Sequence, residues 1–203
     1  FDCVRSPQKE ARILELVSGK PAFMQGKTVL DTAGNQLRIL DYIRGKTLGQ
    51  VALELGSGHE DYFHNHFPAL LAEFMGLVEA IRFLHDHNEK HGDIRRDHII
   101  KDDSTGHYRW IDFDFNYRHG ESRFGYDLFG LGNVLLFLAG RGDVTTYRLL
   151  RERPDVLDRL TGDDVNIVFH NRVNNLKKIY PYVPEKLNRV LMHFAASAPV
   201  YYE

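Results

Sequence analysis

Apolar positions along this chain recur with two periods, and the changes between them mark its elements. Over 67–87, Phe67, Leu70, Leu71, Phe74, Leu77, Val78, Ile81 and Leu84 return every three or four residues, which predicts a helix with one buried stripe. Over 127–140 the chain is almost wholly apolar after Asp127, which predicts a helix buried on all sides and too short to cross a bilayer. Ser6-Pro7 opens an earlier helix by the rule of a capping hydroxyl before proline, and Gly19-Lys20-Pro21 ends it. Residues 22–30 and 36–43 read as strands joined by a turn at 31–35. Ile99-Ile100 and 108–111 read as a hairpin across the polar run 101–106. A short helix and a Gly-rich loop are expected over 46–66, and a polar connection over 116–126. Beyond 144 the pattern predicts helices over 145–153, 156–160, 165–178 and 184–196, punctuated by Pro154, Gly162, Pro181 and Pro184.

Composition changes this picture little. The 203 residues carry 26 basic and 28 acidic side chains, a net charge of −2, so no nucleic-acid-binding surface is implied. The single cysteine, Cys3, excludes an internal disulfide framework and fits a reducing compartment, hence a cytoplasmic location. No apolar run reaches the ~18 residues of a membrane span, and there is no signal peptide. The chain starts at Phe1 rather than Met, and the expectation is a fragment or a chain with missing ends.

The chemistry gathers at the hairpin. Asp93 precedes one strand and Asp112 closes the other, so Asp93, His98 and Asp112 should converge on one side. Clustered carboxylates at strand ends suit a hard cation such as Mg²⁺, and a spare carboxylate can serve as a base. Two turn carboxylates capping backbone groups would look the same. Other motifs are weaker. Gly26-Lys27-Thr28 and Gly45-Lys46-Thr47 echo a phosphate loop, but the required earlier glycine is Pro21 or Leu40. His59, His64 and His66 with Asp61 do not form the His-Glu-x-x-His spacing, so a polar loop is the better reading than zinc.

The run His91-Gly92-Asp93-Ile94-Arg95 with His98, followed by Asp112-Phe113-Asp114, resembles the catalytic loop and metal-binding segment of the protein-kinase-like superfamily. The His-Gly-Asp spelling is similar to that of aminoglycoside- and choline-kinase-like relatives and small atypical kinases. The resemblance implies a two-lobed α+β fold. Its small β-containing lobe, apparently truncated, would occupy 1–44 (one helix, two strands, a hinge), with a mostly helical lobe over 45–203. It implies ATP and Mg²⁺ or Mn²⁺ as cofactors, and transfer of the γ-phosphoryl group to a hydroxyl of a protein Ser/Thr or a small molecule. Asp93 would be the base and Arg95 a γ-phosphate contact; Asp112, His98 and Asp114 would be metal ligands. Glu10 would pair with the ATP-gripping lysine, Leu40 would be the gatekeeper, and Asp41 and Tyr42 would follow in the hinge. His91 and Asp127 would support the loop; Asp127 also reads as a helix N-cap. Two departures, His98 in place of Asn and no Gly-rich loop or strand lysine before Glu10, keep a catalytically inactive pseudokinase as the alternative, while the short stretch of fourteen residues between Asp112 and Asp127 resembles small-molecule and compact atypical kinases.

Overall fold

The computed structural model describes residues 2–118 and 122–197; Phe1, residues 119–121 of the polar connection and the tail at 198–203 lie outside the described residues. Strand β1 (Asp2–Arg5) pairs antiparallel with β7 (Phe115–Arg118), which places a strand in what the sequence presents as a polar connection. Helix α1 (Pro7–Leu16) begins where expected: the Ser6 hydroxyl accepts the Lys9 N–H at 3.3 Å, and Pro7 stands in the first turn. It buries Ile13 and Leu14, and also Lys9 and Glu10, two charges that no apolar core would admit unpaired.

Strands β2 (Gly26–Leu30) and β3 (Gln36–Leu40) form an antiparallel hairpin over the Asp31 turn. The expected strand over 22–30 is broken at Gln25. Its amide donates to the carbonyls of Val17 and Lys20, turning the chain. The residues before it instead flank β6 (Tyr108–Trp110), with Met24 N–H donating to the Trp110 carbonyl at 2.8 Å. The second expected strand stops at Leu40 rather than 43.

Strand β4 (Gly45–Thr47) joins β5 (Ile99–Asp102) and β6 in a three-stranded antiparallel sheet with β5 central, so the expected hairpin is present with a third strand beside it. Helix α2 (Leu48–Glu54) starts with a Thr47–Gln50 capping box. Helix α3 (His59–Asn65) replaces the loop expected there: His59 stacks on Tyr180 and bonds the Tyr182 hydroxyl at 2.7 Å, so its ring serves packing. Helix α4 (Phe67–Asp86) buries its predicted stripe against α5 (Gly125–Gly140), and the Trp110 indole between sheet and helix donates to the Leu77 carbonyl at 3.0 Å.

Helices α6 (Thr146–Glu152), α7 (Pro154–Leu157) and α8 (Glu185–Met192) follow. The helix expected over 165–178 is absent apart from a 3₁₀ turn at Leu176–Lys178. Buried Asn166 accepts the N–H groups of Val168 and Phe169, and buried Asn174 donates to the Leu191 carbonyl. Asparagine side chains here satisfy the backbone in place of a helical ladder, a competition that periodicity alone does not reveal. No described helix is long and apolar enough to cross a membrane.

Candidate active site

The segment between α4 and β5 is held from below. Asp127, fully buried in the first turn of α5, accepts the N–H groups of His91 and Gly92, each at 2.8 Å, and His85 Nε2 lies 3.0 Å from it. Its helix starts at Gly125 with Phe124 as the cap, so the N-cap reading of Asp127 is replaced by a bond to a distant loop. Burial pushes the Asp127 carboxyl up, but the His85 and Gly92 hydrogen bonds outweigh it and hold it below the usual carboxylate range. Gly92 sits at φ +89°, and an added Cβ would meet the Phe115 carbonyl, so a side chain fits neither conformation nor space. His91 is fully buried between Trp110 and Phe113; burial lowers it to about 3 and keeps it neutral.

A second brace comes from α1. The Lys9 ammonium donates to the carbonyls of His91 at 2.7 Å, Phe113 at 2.8 Å and Phe115 at 2.6 Å. It thus ties the helix to both the His-Gly-Asp loop and the Asp-Phe-Asp segment. Burial lowers it to about 8.

Above these braces the side chains converge. One ligand atom each from Asp93, His98 and Asp112 lies within 4.8 Å of the others, and among the described residues this is the group of acidic and imidazole side chains that could hold a metal ion. His98 Nδ1 donates to the Asp93 carbonyl at 2.9 Å, which leaves the lone pair on Nε2. That nitrogen faces Asp112 Oδ2 at 3.5 Å and receives the Arg95 Nε–H at 3.1 Å. Two carboxylates and one imidazole nitrogen fit a divalent cation, with donors about 3–4 Å apart around a six-coordinate ion. The nitrogen suits Mn²⁺ better than Mg²⁺. Arg95 competes for the same lone pair and must swing aside before His98 can ligate. Asp112 has φ +65°, a left-handed backbone that costs a non-glycine residue energy and is tolerated where surroundings over-determine it.

Asp114 stands beside this cluster, next to Asp112. It lies outside the three-residue cluster, buried, with Arg5 at 3.4 Å. Burial, then the neighbouring Asp112 carboxylate, push its carboxyl up, while Arg5 and Arg38 act against them. Glu10 is also buried, and its carboxylate pairs with Arg38 of β3 rather than with a lysine. Leu40 and Tyr42 are exposed, and Asp41 N–H already donates to the Gln25 carbonyl at 2.9 Å. On the far side of Asp93 a cavity of about 330 Å³ opens, walled by Ile94, Tyr126, Phe129 and Phe169 with Arg95 at its rim.

Three residues of this site escaped the sequence reading. His85 and Lys9 carry no local signal, because their partners stand 42 and at least 82 residues away. Arg38 had one: strand alternation places it on the same face as Leu40.

Among solved structures, the chain is similar to the PK-1 kinase of Cydia pomonella granulovirus, with a TM-score of 0.61 at 16% identity, over 95% of this chain and 76% of that one. It is also similar to a variant of the Mycobacterium tuberculosis PknI kinase domain, with a TM-score of 0.56 at 14% identity, over 91% of this chain and 68% of that one. The fold is protein-kinase-like. In sequence, a putative ribosomal protein S6 kinase alpha-2 of Caenorhabditis elegans is 28% identical over 110 residues, 53% of this chain. The match spans only 13% of that protein's length. No protein-family model matches the chain.

Proposed function

We propose that this chain is a kinase-type phosphotransferase that moves the γ-phosphoryl group of ATP to a hydroxyl. Residues 1–44 would contribute the nucleotide side of the cleft and 45–203 the catalytic side. The observation that carries this reading is the convergence of Asp93, His98 and Asp112 within 4.8 Å on a loop anchored by Asp127. Asp93 would orient the acceptor hydroxyl and take its proton as the new O–P bond forms and the β–γ bridge breaks, with ADP leaving. Asp112, with His98 once Arg95 has moved, would hold a divalent cation; such an ion neutralises charge on the outer phosphates. Arg95, released from His98, would contact the transferred group, since its planar fork suits phosphate oxygens. Leu40, Asp41 and Tyr42 would border the adenine. The acceptor, a protein Ser/Thr or a small alcohol, would enter by the aromatic cavity beside Asp93.

The pseudokinase reading is favoured by one feature. The His98 lone pair that would ligate a metal is engaged by Arg95. A thermal-shift titration with ATP, with and without Mg²⁺ or Mn²⁺, followed by an assay of ATP turnover, separates the two. A ligand bound only by the native state raises the midpoint. Metal-dependent stabilisation with turnover supports the enzyme; stabilisation without turnover supports the pseudokinase; no stabilisation refutes nucleotide binding. Asp112→Asn should abolish the metal-dependent rise.

A further inference from the structure

One arginine beside the reacting groups takes no part in holding them. Arg172 lines the aromatic cavity next to Asp93, with its side chain 22% exposed. Its backbone is fixed on both sides. The Asn166 N–H donates to its carbonyl at 2.9 Å, and its own N–H donates to the Phe169 carbonyl at 2.7 Å. Its guanidinium lies 4.2 Å from the centre of the Phe169 ring, which in turn stacks on Phe129 at 6.2 Å. Asp143 meets it through Nε at 3.4 Å, and the same carboxylate takes Arg96 of the catalytic loop at 3.2 Å. Two cations share one acid, so neither is fully neutralised. The terminal nitrogens of Arg172, which carry most of the guanidinium's N–H donors, make no hydrogen bond among the described residues. In the cavity wall Arg95, Arg96 and Arg172 stand against Asp93 and Asp97, so cations outnumber acids.

The residues before Arg172 form an exposed apolar strip, Ile167-Val168-Phe169. The Asn166 side chain holds it in place by accepting the Val168 and Phe169 N–H groups, each at 3.0 Å. Phe169 lines the cavity and the other two do not, so the strip runs on outside it. Single exposed apolar residues are ordinary, but a held run of them beside a reactive carboxylate marks a binding surface. A small molecule inside a cavity of about 330 Å³ would leave the outer strip uncovered, whereas a peptide would cross both.

We propose that the acceptor is a peptide serine or threonine next to an acidic residue, and that Arg172 is the specificity-determining residue that reads the acid. The inference rests on the phosphotransferase reading above and adds to it the class of acceptor. The acceptor hydroxyl oxygen meets Asp93, which takes its proton as the bond to the γ-phosphorus forms and ADP leaves. The neighbouring carboxylate accepts from the terminal nitrogens of Arg172, whose planar fork suits both of its oxygens. Phe169 and Asp143 already hold that fork, so little rotamer freedom is lost on binding. Apolar side chains of the peptide lie along Ile167 and Val168.

Synthetic peptides test the assignment. Each carries a single serine in a neutral apolar background, with one glutamate moved through the flanking positions and a glutamine counterpart for every position. With saturating Mg²⁺·ATP or Mn²⁺·ATP, wild-type kcat/KM should favour glutamate by about tenfold or more at the position Arg172 reads, as expected for charge-assisted hydrogen bonds. Arg172→Ala should remove this preference through KM and leave the glutamine peptides and the KM for ATP unchanged. Asp143 keeps Arg96 in that variant, so no carboxylate is stranded. If it fails to fold, Arg172→Gln, which keeps a long stem over Phe169, takes its place with the same outcomes. Equal rates at every position, a preference that survives the loss of Arg172, or phosphorylation of free serine but of no peptide would overturn the proposal. Wild-type protein that turns over no ATP would refute the phosphotransferase reading, and this proposal with it. ATP turnover with no preference for glutamate would refute this proposal alone.

Discussion

The underside and the mouth of the His91–Asp93 loop are built on opposite terms. Below, Asp127 and Lys9 make five hydrogen bonds of 2.6–2.8 Å to backbone groups of the loop, the Asp-Phe-Asp segment and the adjoining Phe115, four of them buried and the last part-buried. Above, buried His98 stands 3.5 Å from each of two partly exposed carboxylates, Asp93 and Asp112, and Asp112 adopts a left-handed backbone. The mouth can hold like charges and backbone strain because the underside over-determines where the chain runs. Stability should therefore rest mainly on the lower layer and chemistry on the upper one.

Asp127→Asn should break the underside most severely. It sets an amide donor against backbone N–H donors that lack water, and should cost about 3–5 kcal/mol in denaturant unfolding. A loss below ~1 kcal/mol would show that water reaches the loop. Asp93→Asn should do the reverse, lowering turnover by about 10²–10⁴ with the unfolding midpoint unchanged; unchanged turnover would remove Asp93 as the base. Lys9→Met leaves three carbonyls unpaired and should cost about 2–4 kcal/mol while also weakening metal-dependent nucleotide binding, since the same brace sets Asp112. Asp112→Gly relieves the left-handed backbone and should stabilise the fold by up to ~1 kcal/mol as it abolishes metal binding. A destabilised Asp112→Gly protein would mean that the carboxylate serves the fold.

Acid sharpens the same contrast. The Asp127 carboxyl is held below its ordinary 3.8, so its contribution is complete above that pH and is lost as pH falls below it. Asp114 is raised, so its contribution is present below 3.8 and is lost as pH rises through its folded value. Hence Asp114→Asn should be more stable than wild type at neutral pH, and the advantage should vanish on acidification. An advantage that persists in acid would place its origin outside the titration.

Much of this was legible in one dimension. The helical stripe over 67–87, the apolar run after Asp127 and the two Asp-centred motifs are local patterns, and they sufficed for a kinase-like α+β fold. The failures were equally local in origin. The segment over 165–178 shows helical spacing, but Asn166 and Asn174 divert the backbone; the strand from 22 is cut where Gln25 gathers carbonyls from the preceding turn.

By itself, the sequence determined the helices opening at Ser6, spanning 67–86 and following Asp127, the hairpin over 99–110, and that Asp93, His98 and Asp112 could meet. Period and spacing act over a few residues, and a hairpin brings its own ends together without outside help. Only the tertiary structure decided that Asp127 reaches a loop 35 residues earlier, that Lys9 is spent on backbone, that Asp114 is buried with Asp112 and Arg5 as neighbours, and that Glu10 takes Arg38 as partner. Buried charges choose their partners by proximity after packing, and burial sets the energy of that choice, which no spacing along the chain encodes.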